Sequence, residues 1–226
     1  MEVNNRNIKI SSSIICMDFF DLMHQITSLN NLADLYHFDI IDNHFAPWFG
    51  LPIELLISLK KVATLPIDVH LIVDSVEPSV EKLIQHKPET ITIHIEGLTS
   101  NAFRVIQKIR DTKIKVGIAI NPITPIENLN YILPLIDKVT IMTFDPGMAG
   151  QKLVDITLKK VSELSAKKVT NKLSFDIEVD GSCNEQNFQN MFNAGANQFV
   201  LGTSGLFSLD KNIEVAWNKM EKYIKA

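Results

Sequence analysis

The chain has 226 residues, 46% of them hydrophobic and 21% charged, the balance of an ordinary globular protein with enough apolar surface for one large core or two small ones. A formal charge of −4 without a basic run argues against nucleic acid as a partner. Its two cysteines, Cys16 and Cys183, lie too far apart for CxxC or zinc-ribbon spacing and suit a reducing, cytoplasmic setting. Residues 1–7 are polar and rich in Asn, without the basic-then-apolar signature of a signal peptide, and are expected to form a disordered lead-in. No apolar run approaches the ~18 residues of a membrane span, so no membrane partner is expected.

From Ile8 onward, short apolar strand-like runs alternate with amphipathic stretches. Strands are predicted over Ile8–Ile15, Leu35–Ile41, Ile67–Val73, Thr90–Ile95, Lys115–Ile120, Lys138–Thr143, Ser174–Val179 and Gln198–Leu201. Helices are predicted over Asp18–Leu32, Pro52–Val62, Pro78–His86, Ser100–Arg110, Pro125–Leu135, Val154–Lys168, Glu185–Asn193 and Asn212–Tyr223. Pro52, Pro78 and Pro125 stand at helix starts, where a missing N–H costs nothing. Strand–helix alternation argues for a parallel sheet, and eight such units for closure into a single-domain α/β fold, the (β/α)8 TIM barrel. No Ser/Gly/Pro linker divides the chain.

Active sites of such barrels gather at the C-terminal ends of the strands, and several of those ends are polar here. His37 and Asp39 share one strand face, since side chains alternate. The pair Asp68 and His70 follows on the next strand, Asp180 ends the seventh, and Ser13 the first. Two neutral imidazoles and two carboxylates would neutralise one divalent ion and leave positions for substrate or water. A buried ion-pair and hydrogen-bond network without metal would satisfy the same residues. Of the remaining histidines, His24 and His86 are expected on helix surfaces, His44 in a loop, and His94 behind the cluster as a supporting partner. Glu178 lies one layer deeper than Asp180 and needs a partner that the sequence does not name.

A second group of residues lies on the last three strand–helix connections: Gly147, Met148, Ala149 and Gly150, then Gly181 and Ser182, then Gly202, Thr203 and Ser204. Barrels bind phosphate with such loops and the N-terminus of a short extra helix, for which Thr203–Phe207 is the candidate. No Lys or Arg marks this end, so backbone N–H groups would carry the binding. Simple turns account for the same glycines.

The order His37-Phe38-Asp39, Asp68-Val69-His70, Asp145-Pro146-Gly147-x-x-Gly150-Gln151 and Val179-Asp180-Gly181 resembles the ribulose-phosphate 3-epimerases, from Ile10 to Trp217. Within that family, the run from Ile177 to Asn184 and the run from Gly202 to Phe207 resemble the D-allulose-6-phosphate 3-epimerase branch. The resemblance implies that His37, Asp39, His70 and Asp180 hold one divalent metal ion (Zn, Fe, Mn or Co) and that Asp39 and Asp180 exchange protons with the substrate. Ser13 and His70 would contact a small phosphorylated ketose, and the three glycine-containing loops its phosphate. It also implies a homo-oligomer, dimer or hexamer. Ile41, Ile72, Ser12, Trp48 and Met148 depart from the usual family residues, which bears on pocket shape and rate. Two other readings use the same scaffold: a metal-free phosphosugar isomerase or decarboxylase, which typically wants a lysine near a strand end, and a catalytically silent sugar-phosphate-binding protein.

Overall fold

The computed structural model describes residues 8–148 and 150–225. Ala149 and the expected lead-in, residues 1–7, lie outside the described residues. The eight strands are β1 (Lys9–Ser13), β2 (Leu35–Ile41), β3 (Ile67–Ile72), β4 (Thr90–His94), β5 (Lys115–Ile120), β6 (Lys138–Met142), β7 (Asp176–Asp180) and β8 (Gln198–Leu201). Each pairs in parallel with its sequence neighbours, and β8 returns to β1 to close the barrel. The helices are α1 (Leu22–Leu29), α2 (Ile53–Leu59), α3 (Val76–Leu83), α4 (Ala102–Arg110), α5 (Ile156–Thr170), α6 (Phe188–Ala194) and α7 (Ile213–Lys225). The predicted TIM barrel is therefore the observed fold, and no helix among the described residues is long and apolar enough to cross a membrane.

One predicted helix is absent. Between β5 and β6 the chain makes two short 3-10 turns, Ile126–Leu129 and Leu133–Leu135, instead of a continuous helix from Pro125 to Leu135. Pro134 bars a helical turn across residues 130–134, since it offers no N–H and inside an α-helix its ring would collide with the Asn130 carbonyl. The apolar residues still reach the core, with Ile126, Leu129 and Leu133 buried. Elsewhere the ends follow local chemistry. The Asn212 side chain accepts from the Val215 N–H at 2.9 Å and caps the first turn of α7. Along α7, Ile213, Ala216, Trp217, Met220, Tyr223 and Ile224 are buried at helical spacing.

Strand alternation divides the barrel into two environments. The outward residues, including Phe38, Val69, Leu71, Ile91, Ile93, Val116, Ile118, Val139, Ile141, Val179 and Phe199, belong to one apolar core between barrel and helices. Each fully buried side chain of this size contributes ~1.5–3 kcal/mol. The inward residues are largely polar: His37, Asp39, Asp68, His70, Thr92, His94, Lys138, Thr140, Glu178 and Gln198 are all buried. In the middle layer the buried Lys138 ammonium bridges Asp68 and Glu178, the latter at 2.6 Å. Thr92 donates to Asp68 at 2.9 Å, and Thr140 and Gln198 donate to Glu178 at 2.8 and 2.5 Å. The lysine crosses the barrel over Gly117, where a Cβ would stand 2.3 Å from the Thr92 hydroxyl and 3.0 Å from the Lys138 Cε. This network supplies the partner that Glu178 required and forms a charged floor beneath the mouth of the barrel.

Candidate active site

Register decides which side chains meet. β2 and β3 align His37 with Asp68 and Asp39 with His70, while β1 sets Ser13 beside His37. Asp180, last residue of β7, approaches from across the barrel. One nitrogen of each histidine and one oxygen of each carboxylate of His37, Asp39, His70 and Asp180 lie within 4.8 Å of one another. His37 Nε2 is 3.0 Å from Asp39 Oδ1, 3.4 Å from Asp180 Oδ2 and 3.2 Å from His70 Nδ1. His70 Nδ1 is in turn 3.4 Å from Asp39 Oδ1 and 3.5 Å from Asp180 Oδ2.

Four lone-pair-bearing atoms converging on one point need positive charge between them. In the protein without a cation, protons supply it. Burial opposes a charged His37 ring, but the Asp39 and Asp180 carboxylates outweigh that and raise its pKa well above the usual imidazole value. His70 is raised as well, against burial, by its bonds to Asp180 and Asp39. Burial would lift the Asp39 carboxyl, yet the charge and hydrogen bonds of His37, with His70, hold it well below the usual carboxylate range. The same balance brings Asp180 down to about 2. A shared proton satisfies one pair at a time, whereas a divalent cation satisfies all four donors at once, and two imidazole nitrogens with two carboxylates are a set that borderline divalent ions accept. The cluster could hold a metal ion.

Above the cluster lies the mouth of the barrel, lined among others by Ser13, Asp39, Asp180, Gly147, Gly150, Gly181, Ser182, Gly202, Thr203 and Ser204. The three glycine-containing connections thus meet at one cleft, as the sequence suggested, and none of its lining residues is Lys or Arg. Gly181 has φ +110°, and a Cβ there would stand 2.5 Å from the Phe144 ring, so only glycine fits this turn. Met148 does not line the cleft; its side chain is exposed and its carbonyl accepts from the Gln151 amide at 2.9 Å. Thr203–Phe207 is one wide turn closed by i→i+5 bonds, with the Ser208 N–H reaching the Thr203 carbonyl at 2.8 Å.

Ser182 has φ +49°, unusual for a residue with a side chain, and its hydroxyl donates to the Gln151 carbonyl at 2.7 Å. It ties the loop after β7 to the loop after β6. Ile41 and Ile72 line the cleft, and Ala46, Pro47 and Trp48 pack against Gly147. The sequence reading passed over Ile15, Cys16, Phe144, Cys183 and Val200, which also line it. It also passed over Lys138 and Glu96; an inward Lys on a buried strand and a His-x-Glu pair at the end of β4 were the available signals. His94 sits behind His70, Nε2 to Nε2 at 3.0 Å, in the supporting place expected of it. His24 and His44 are exposed and His86 is half-buried, and none of the three is among the cluster's four groups.

Solved structures similar to this one include phosphoribosyl anthranilate isomerase from Thermococcus kodakaraensis, with TM-score 0.67 and 12% identity over 96% of this chain and 99% of that one. A mutant tryptophan synthase α-subunit from Pyrococcus furiosus gives TM-score 0.65 and 13% identity over 96% and 95%. At such identities the likeness shows the fold alone. Similar proteins at higher identity include ribulose-phosphate 3-epimerases. That of Methanocaldococcus jannaschii is 33% identical over 97% of this chain and 92% of its own length. That of Rhodobacter capsulatus is 36% identical over 90% and 87%. Residues 9–207 match the model of the ribulose-phosphate 3 epimerase family. With nearly the whole barrel inside that match, the chain belongs to the ribulose-phosphate 3-epimerase family and is a carbohydrate epimerase.

Proposed function

We propose that the chain inverts carbon 3 of a ketose phosphate with Asp39 and Asp180 as its acid–base pair, and that D-allulose 6-phosphate, interconverted with D-fructose 6-phosphate, is its preferred substrate. The convergence of two carboxylates and two imidazoles at the floor of a cleft rimmed by three glycine-containing loops carries the reading. Inversion next to a ketone requires a base on one face of the carbon and an acid on the other, with roles exchanged in the return direction. Asp39 on β2 and Asp180 on β7 stand on opposite sides of the barrel mouth.

His37, Asp39, His70 and Asp180 would hold one divalent ion, Zn, Fe, Mn or Co. Bound there, it would act as a Lewis acid on the ketone oxygen and stabilise negative charge as carbon 3 loses its proton. The acid–base pair needs one carboxyl protonated at the outset, whereas charged imidazoles depress both. Metal ligation would favour the ionised carboxylates as well, so neighbouring groups as much as burial would hold the proton on one of them. Ser13, 3.5 Å from Asp39 Oδ2, and His70 would contact the sugar. Gly147, Gly150, Gly181, Ser182, Gly202, Thr203 and Ser204 would surround the phosphate, mainly through backbone N–H groups. The homo-oligomer and the cytoplasmic setting belong to the same reading.

The allulose preference rests on the ends of β7 and β8, where Ile177–Asn184 and Gly202–Phe207 resemble that branch. D-ribulose 5-phosphate is the second reading, favoured by the name of the relatives. Kinetics on both sugars, with and without chelator, test the proposal. The expected result is a higher kcat/KM for allulose 6-phosphate, loss of activity in chelator, and one solvent deuterium at carbon 3 of product. A tenfold or greater preference for ribulose 5-phosphate would overturn the branch, and full activity in chelator would overturn the metal.

A further inference from the structure

We propose that the barrel contains a second cation site, formed by His37, Asp68 and Glu178, and that the chain fills it with its own Lys138 ammonium. Lys138 thereby reserves His37 for the cluster at the cleft, a consequence that rests on reading that upper cluster as a cation site.

Among the described residues, two groups bring ligand atoms within 4.8 Å of one another: His37 with Asp39, His70 and Asp180, and His37 with Asp68 and Glu178. The imidazole is shared, and it turns a different nitrogen to each group. Nε2 faces Asp39 and Asp180. Nδ1 is turned to Asp68, 3.8 Å from its Oδ2, and is buried without a hydrogen-bond partner. All three side chains of the second group are buried, and one imidazole with two carboxylates is a set that borderline divalent ions accept.

The lysine already stands where such an ion would bind. Its ammonium lies between Asp68 and Glu178, 2.6 Å from the latter. Two carboxylates this deep need positive charge beside them, and Lys138 supplies one unit of it. It serves the carboxylates and not the imidazole, which leaves Nδ1 over. Thr92 holds Asp68, and Thr140 and Gln198 hold Glu178. Those bonds do not involve the lysine, so both carboxylates keep their places when it is replaced. An entry path exists as well. Lys138 and Gln198 line a cavity of about 280 Å³ with Lys9, Thr90, Lys115 and Asp176, at the end of the barrel away from the cleft. Without the lysine, the two groups would compete for one histidine. An ion on Nδ1 would sit beside Glu178, two residues short of Asp180 along β7 and below the cleft.

Lys138→Ala removes the ammonium and its stem. The test is made in the His70→Ala background, which takes a ligand from the upper group and leaves the lower one whole. Zn²⁺ per chain is counted after equilibrium dialysis, and urea unfolding is followed with and without Zn²⁺. His70→Ala is expected to bind no ion. The double variant is expected to bind one per chain and to unfold at higher urea with Zn²⁺ than without it. Adding Glu178→Gln should remove that ion. An ion count unchanged by Lys138→Ala would overturn the proposal, and so would an added ion that survives Glu178→Gln. If the double variant does not fold in metal-free buffer, refolding from urea in Zn²⁺ decides. Recovery would show an ion replacing the ammonium, and failure would overturn the site. A wild type that binds no Zn²⁺, beside a double variant that binds one, would uphold the lower site and overturn the cation reading of the upper cluster.

Discussion

Asp39 presents Oδ1 to His37 and His70 and turns Oδ2 toward the Ser13 hydroxyl, so one carboxylate can both join the cluster and face the cleft. Asp39→Asn and Asp180→Asn are each expected to lower kcat by on the order of 10²-fold or more. The remaining carboxylate can still remove and return a proton on its own face. Each variant should therefore exchange the carbon-3 hydrogen of one epimer with deuterium while failing to invert it. NMR of both epimers in D2O, with metal content measured alongside, checks this; equal exchange from both would assign the proton to another group. Ser182 calls for a separate test. Its hydroxyl is engaged with Gln151, so a bond to phosphate or sugar must compete with a bond that joins two loops. Ser182→Gly also relieves the φ of +49°. A several-fold to about tenfold fall in the preference for the six-carbon substrate is expected, because a site built around a hydroxyl penalises its loss. Competition kinetics on the two sugars measure it.

At the level of the element, β6 and β7 carry more than the cleft. Lys138, the first residue of β6, is buried between Asp68 and Glu178. Removing one member of a buried ion network leaves the others unpaired, and Lys138→Met is expected to cost about 3–5 kcal/mol in urea unfolding. The pH dependence follows from Asp68. Burial alone would raise its pKa, but Lys138 and His37 depress it below its unfolded value. A depressed carboxylate contributes stability that is present above the unfolded pKa, about 3.9, and is lost as pH falls through the folded one. Wild-type stability should therefore fall on acidification below about pH 4, and Asp68→Asn should flatten that limb. The β5–β6 crossover shows the opposite economy: Pro134 bars the last turn of a helix, yet two 3-10 turns bury Ile126, Leu129 and Leu133, because the barrel needs an apolar cover and not a particular helix.

For the whole molecule, the cluster ties β2, β3 and β7 together across the barrel mouth. An ion held there binds the folded chain and not the unfolded one. At 100 times its Kd, Zn²⁺ is expected to add about 2.7 kcal/mol to unfolding stability. His70→Ala should abolish that gain while leaving the metal-free barrel folded. Denaturant unfolding of both proteins with and without Zn²⁺ checks it, and an equal gain in the variant would place the ion elsewhere.

The sequence by itself determined the strand–helix alternation, the barrel and the positions of His37, Asp39, His70 and Asp180, because each rests on local periodicity. Alternation over three residues puts His37 and Asp39 on one face, and the end of a predicted strand puts that face at the mouth. Seven of the eight predicted helices are present for the same reason. Only the tertiary structure decided what those residues do to each other. Lys138 meets Asp68 70 positions away, Glu96 meets Thr124 28 positions away, and Ser182 meets Gln151 31 positions away. Contacts of that separation depend on the register of parallel strands and on the width of the closed barrel, which no local pattern encodes.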